Sequence, residues 1–288
     1  MAVLSSLRTA LGSLVSNPVL FVASFLIGLV TLPQSALSLL GIPLAPTLLQ
    51  LVTYFITPFL LAGLIGMAIE AQADGTAFGT LTREGKENYV PLLLGTLLRT
   101  AIQFAFGIVV FLFGIVAFVV GIGGAGAISE GGLDPGALLG SLGLVFVAFL
   151  LFAVLPYLVV MVLIQFFPVA IVAEDRDVIE AFKRSYGVVR SNVLPTVGYS
   201  IVSFGVALIA AAPVTAFTLS RTLSQIQSAG AGGTTPTGGG FGGAGAGSLS
   251  LFSPVEVVII SAMTLVLTTV LLAFQQSYAV AFFQAVRD

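Results

Sequence analysis

The sequence predicts an all-α polytopic membrane protein: six transmembrane helices, arranged as three helical hairpins, with short amphipathic helices on the cytoplasmic side. Three observations predict it. Of 288 residues, 58% are apolar and 8% charged, with a mean hydropathy of +1.15, where soluble domains run at about 45–50% and 25%. The apolar residues gather in six runs of the ~20 residues or more that a helix needs to cross a bilayer. Nine of the ten basic residues fall on one side of those runs. A soluble globule of this composition would expose large apolar patches, and disorder requires low hydrophobicity and high charge.

The first run covers about Pro18–Leu40, interrupted by Pro33 and Gln34. Its length and the spans after it read as a span rather than a cleaved signal. The second covers about Pro46–Ile69 with Pro58 inside it, and the third about Leu92–Val120. The fourth, about Leu138–Val172, contains Pro156 and Pro168. At 1.5 Å per residue it exceeds a ~30 Å core, so it must tilt, kink or extend past the membrane. It is kept as one span, because splitting it would place Arg83 and Arg184 on opposite faces. The fifth covers about Val193–Leu219 and the sixth about Pro254–Phe283. In numbers the spans are 18–40, 46–69, 92–120, 138–172, 193–219 and 254–283 of a single transmembrane domain, 1–288. Barrel strands alternate apolar and polar residues; Phe104–Val120 does not alternate, so the runs are helices.

Arg8, Arg83, Lys86, Arg99, Arg176, Lys183, Arg184, Arg190 and Arg287 lie on one side, and Arg221 alone on the other. By the positive-inside rule both termini and both charged loops are cytoplasmic. The Gly- and Thr-rich stretch 229–247 then becomes a flexible outside loop. The two charged loops align at an offset of 104 residues: Glu70 with Glu174, Ala77 with Ala181, Phe78 with Phe182, Asn88 with Asn192 and Pro91 with Pro195. Leu7–Pro18 carries a fainter version. Three units follow, each a short helix leading into a hairpin; shared membrane-boundary composition is the competing explanation.

The clearest loop element is Asp177–Arg190. Asp177 with Glu180 fits a capping box. Val178, Phe182, Ser185 and Val189 share one helical face, and Glu180 with Arg184 forms an i,i+4 pair. Such a basic amphipathic helix is either a collar packed under the bundle or a surface for anionic lipid or a partner. In the second case Lys183, Arg184 and Arg190 are the interfacial lipid contacts.

The run Glu174–Tyr186, in which an acidic residue ends a span and an Ala–x–x–Arg–Ser–aromatic helix follows, resembles the signature of a broad prokaryotic membrane family. That family includes the membrane domain attached to some glycerophosphoryl diester phosphodiesterases. Asn17–Phe21, Leu32-Pro33-Gln34 and Gly85–Val90 more closely resemble six-span haloarchaeal proteins of unknown function. The resemblance implies a multi-pass helical membrane protein and carries over no activity, since the phosphodiesterase chemistry lies in a separate soluble domain.

Gly121–Gly126 matches G-x-G-x-x-G, but a nucleotide site needs a preceding strand and a following helix. Gly136 and Gly140 form a GxxxG pair that permits close helix contact. Ionisable and polar groups inside a membrane are the default functional candidates. By depth, Arg99, Gln103, Gln275 and Tyr278 line one cytoplasm-facing polar cleft; snorkelling of Arg99 and interhelical hydrogen bonding are the alternatives. The chain has no His and no Cys, which removes the commonest acid–base and metal-binding chemistry. No catalytic, cofactor-binding or metal-binding set is expected, and the protein is not expected to be an enzyme. The net charge of −2 argues against nucleic acid. Membrane lipids are the expected partners, with other membrane proteins as a further class. The leading reading is a non-enzymatic scaffold of the cell membrane that binds lipids or partner proteins; the alternative is a permease for a small or lipid-like solute.

Overall fold

The computed structural model describes residues 2–42, 44–123, 147, 149–231 and 252–287. Every regular element among them is helical, and six helical stretches are long and apolar enough to cross a membrane. In chain order the helices are α1 (Ala2–Ser16), α2 (Val19–Leu39), α3 (Ala45–Ala73), α4 (Phe78–Glu87) and α5 (Tyr89–Gly123). A π-helical turn (Leu150–Val154) runs into α6 (Leu155–Leu163), followed by α7 (Phe167–Glu174), α8 (Val178–Ser191), α9 (Val193–Ala231) and α10 (Pro254–Val286).

The fourth span, read from the sequence as one span that must tilt, kink or extend, is interrupted within the membrane-length stretch Leu151–Glu174. A turn at 164–166 separates α6 from α7. Pro168 has no N–H to continue the ladder across the turn, and it sits in the first turn of α7, where a missing donor costs nothing. Non-helical backbone is tolerated at membrane depth only where protein satisfies it. Ser185 of α8 does this twice: its Oγ accepts from the Phe166 N–H (3.1 Å) and donates to the Leu163 carbonyl (2.8 Å).

The helices pack unequally. α2, α3 and α10 form the centre, each against the other two. The most apolar 18-residue windows of α5 and α9 contain no buried residue, so these helices form the rim. Glycine sets the α3–α4 approach: a Cβ on Gly63 would lie 2.3 Å from the Leu81 carbonyl oxygen, a contact with backbone that no side-chain motion relieves. At the end carrying the short helices, Phe166, Tyr199, Tyr278 and Phe282 interlock, with Tyr199 4.7 Å from Tyr278 and 4.8 Å from Phe282 between ring centres.

Three packings follow one rule: α3 lies on α4, α7 on α8, and α10 on α1. At each junction between a short helix and the span after it stands an asparagine whose N–H reaches back four residues: Asn17 to Ser13, Asn88 to Glu84 and Asn192 to Val188. The Asn17 side chain also donates to the Ala71 carbonyl at the end of α3, and that of Asn192 to the Val286 carbonyl at the end of α10.

Two local expectations are corrected. Asp177 precedes α8 without a side-chain cap hydrogen bond, so the Asp177–Glu180 capping box does not form; Ser253 and Glu256 form one at the start of α10 instead. Arg184 pairs with Glu174 rather than Glu180, which faces Arg176 at 4.0 Å. Half of the Gly121–Gly126 motif, residues 124–126, the Gly136/Gly140 pair, and 229–247 beyond Ala231 lie outside the described residues.

Candidate functional site

The polar groups of the spans gather in a cavity of about 250 Å³ between α2, α3, α5 and α7. Proline shapes it. Pro58 and Pro168 stand in its wall, and Pro58, inside α3, cannot donate to the Tyr54 carbonyl one turn back. Around them Gln34, Gln50, Thr53, Tyr54, Thr57, Thr96 and Arg99 supply the polar lining.

The hydrogen bonds give this lining a sign. The Thr53 hydroxyl lies within bonding distance of Gln34 Oε1 (3.4 Å) and of the Gln50 carbonyl (3.0 Å). Thr57 donates back to the Thr53 carbonyl at 2.6 Å. The Tyr54 hydroxyl donates to the Thr96 carbonyl at 3.0 Å and lies 2.5 Å from Thr100 Oγ1, tying α3 to α5. The hydroxyls are thus turned onto protein acceptors. The Gln34 amide nitrogen and the Arg99 guanidinium make no hydrogen bond or ion pair among the described residues. Among the described residues no Asp or Glu lines the cavity. Arg99 follows the start of the third span, at about Leu92, by seven positions, a rise of about 10 Å and a third of a ~30 Å core. An unpaired cation at that depth, beside free amide donors, suits the oxygen atoms of an anion.

The four residues grouped by depth do not meet in one cleft. Arg99 lines the cavity. Gln103, one turn further along α5, donates to Met161 Sδ at 3.9 Å. Tyr278 is fully buried among Tyr199 and Phe274, and its hydroxyl donates to the Val3 carbonyl at 3.5 Å. Gln275 is half-buried on α10. Of the polar lining residues only Arg99 belongs to that group of four; Gln34, Gln50 and Thr96 are among those it did not include. Two of them flank proline-interrupted spans, and that was their only sequence signal.

The basic residues of α8 divide. Arg184 is engaged: it pairs with Glu174 at 3.1 Å and donates to the Arg287 carbonyl at 3.0 Å. Arg190 is exposed and lies over the Tyr186 ring at 6.0 Å. Lys183 is exposed. The apolar face of the helix, with Ala181, Ser185, Val188 and Val189 buried and Phe182 stacked on Phe167 at 4.6 Å, is turned onto protein. Among the described residues no cluster of three or more His, Cys, Asp and Glu side chains is placed to hold a metal.

A family model described as Domain of unknown function (DUF7847) matches residues 1–286, and the chain belongs to that family. The match names neither the haloarchaeal proteins nor the phosphodiesterase membrane domain. No curated protein and no solved structure matches the chain.

Proposed function

We propose that this is a non-enzymatic, multi-pass protein of the cell membrane that binds the anionic group of a lipid or lipid-like solute in the Arg99 cavity. The carrying observation is an Arg about 10 Å inside the third span, without a protein counter-ion among the described residues, lining a polar cavity with no carboxylate among its described lining residues. Intramembrane charges without a structural partner are costly and mark ligand or ion pathways. At about 30 Å³ per water, the cavity holds a phosphate- or carboxylate-sized group and leaves a hydrocarbon tail outside. A permease reading is favoured by the three proline-interrupted spans around the cavity and by the broken fourth span, since interrupted helices are where transporters hold solutes.

In this reading the chain is three units, each a short helix followed by a hairpin, with both termini and the short helices in the cytoplasm. The cyclic packing of α3 on α4, α7 on α8 and α10 on α1 supports the units; the distribution of basic residues supports the orientation.

The test of the site is native mass spectrometry of protein released gently from its membrane, alongside Arg99→Ala and Arg99→Lys. Binding predicts a stoichiometric phosphate- or carboxylate-bearing molecule on the wild type, lost in Arg99→Ala at unchanged expression. Wild-type binding by both variants would refute it. Orientation is tested with single cysteines in this Cys-free chain: Lys183→Cys should be shielded from an impermeant thiol reagent in intact cells and Ser224→Cys labelled, and the reverse pattern overturns the assignment.

A further inference from the structure

A second feature lies on the other side of the bundle, away from Arg99. Between α9 and α10 runs a furrow of about 530 Å³ whose walls are apolar throughout. Its cause is side-chain length. The inward row of α9 is Val202, Val206 and Ala210, one turn apart, and the facing row of α10 is Leu267, Leu271 and Phe274. The α9 side chains of this row are short, and the row runs about 12 Å along the helix. At the charged end α1 floors the furrow with Leu7 and Leu11.

Helix α1 says what surrounds that floor. At 100° per residue, Leu4, Leu11 and Val15 fall on one side with Arg8 at its edge. Leu4, Leu11 and Val15 are exposed by 72%, 49% and 85%. An apolar exposed face edged by a basic residue is the pattern of a helix lying at the level of lipid headgroups. Arg8 is exposed and makes no hydrogen bond or ion pair among the described residues.

We propose that the α9–α10 furrow holds one hydrocarbon chain of an anionic phospholipid whose phosphate rests on Arg8. The walls select hydrocarbon, because they offer no hydrogen-bond partner to anything polar. Depth agrees, since about 12 Å is most of one leaflet of a ~30 Å core. Charge supplies the headgroup preference, each surface Lys or Arg attracting anionic lipid. The inference rests on the membrane-spanning reading but not on the Arg99 cavity.

The experiment reconstitutes the full chain in vesicles of equal phosphatidylglycerol and phosphatidylcholine, then releases it into mild detergent for native mass spectrometry. Measured in an Arg99→Ala background, which removes any lipid held at the Arg99 cavity, the chain with an intact furrow should retain one phosphatidylglycerol. Val206→Phe, which fills the furrow, should lower retention about tenfold or more, the effect of blocking even a few methylenes of chain burial. If Val206→Phe does not fold by circular dichroism, Ala210→Leu decides instead. In the same background Arg8→Gln should lower the preference for phosphatidylglycerol over phosphatidylcholine about fivefold. A folded, furrow-filled variant that keeps its lipid, or an intact-furrow chain that keeps none in the Arg99→Ala background, overturns the proposal. An unchanged headgroup preference in Arg8→Gln overturns the role of Arg8.

Discussion

The joints between α3 and α4 and between α7 and α8 set residues 104 apart in corresponding places, yet they are built differently. At the first, Gly63 lies against the Leu81 backbone; at the second, Phe167 and its neighbour Phe166 lie against Phe182 and Ser185. Each span ends in a glutamate held by arginine: Glu70 by Arg83, Glu174 by Arg176 and Arg184. The first joint is closed by backbone contact, so α3 runs unbroken. In the second, a phenyl ring occupies the place of a hydrogen atom, the short helix stands off, and the span breaks at 164–166 with a serine to stitch it. One layout thus tolerates two solutions, glycine with an intact helix or an aromatic stack with a broken one, and only the second brings irregular backbone to the edge of the Arg99 cavity.

The largest effects should come from exchanging what closes each joint. Phe167→Ala removes a ring that is 2% exposed and stacked on Phe182, and should cost about 3–5 kcal/mol of stability. Gly63→Val drives a Cβ into the Leu81 backbone and should cost about 3 kcal/mol, the upper end for overpacking. Thermal unfolding in detergent reads both. If Gly63→Val is neutral, the first joint is not closed by backbone contact and the contrast fails.

Ser185→Ala comes next. It orphans the Phe166 N–H and a bond to the Leu163 carbonyl, at about 1–3 kcal/mol for a buried group left unpaired. The specific readout is hydrogen exchange: the Phe166 amide should lose protection while α3 amides keep theirs. Unchanged protection at Phe166 would mean the break is held by something other than Ser185.

These joints also show what the sequence conveyed. Six apolar runs are a property of composition along the chain, and they reappear as six long apolar helical stretches. The end-of-span glutamates and the junction asparagines were visible as identities at one offset. The break was not, because Pro168 reads equally well as a kink or as the first turn of a new helix. Nor was the azimuth of polar residues: depth placed Arg99 and Tyr278 at similar levels, but only packing sends Arg99 to the α3 side and Tyr278 into the aromatic cluster. The apolar face of α8 was legible from its period, whereas its covering by Phe167 and the 164–166 turn needed the tertiary structure.

The smallest effect separates the two glutamates. Glu174 is 13% exposed and faces Arg176 and Arg184; Glu70 is 33% exposed and faces Arg83, itself 54% exposed. Coulombic attraction weakens with solvent screening, and exposed pairs are worth about 0–1 kcal/mol. Glu174→Gln should therefore cost about 1–2 kcal/mol, as for a hydrogen bond to a charged group, and Glu70→Gln less, because Thr76 and Thr80 can still donate to the remaining amide oxygen. Raising salt to about 0.5 M should narrow the Glu70→Gln deficit more than the Glu174→Gln deficit, since the screening length then falls below ~5 Å. The paired unfolding curves measure both. Equal costs at low salt, shrinking in parallel, would mean that the two joints carry the same electrostatic anchor despite their different packing, and that the broken span owes nothing to Glu174. A larger, salt-resistant cost at Glu174 ties the break to the anchor: with no glycine contact to hold α8, the half-buried ion pair and Ser185 hold it together.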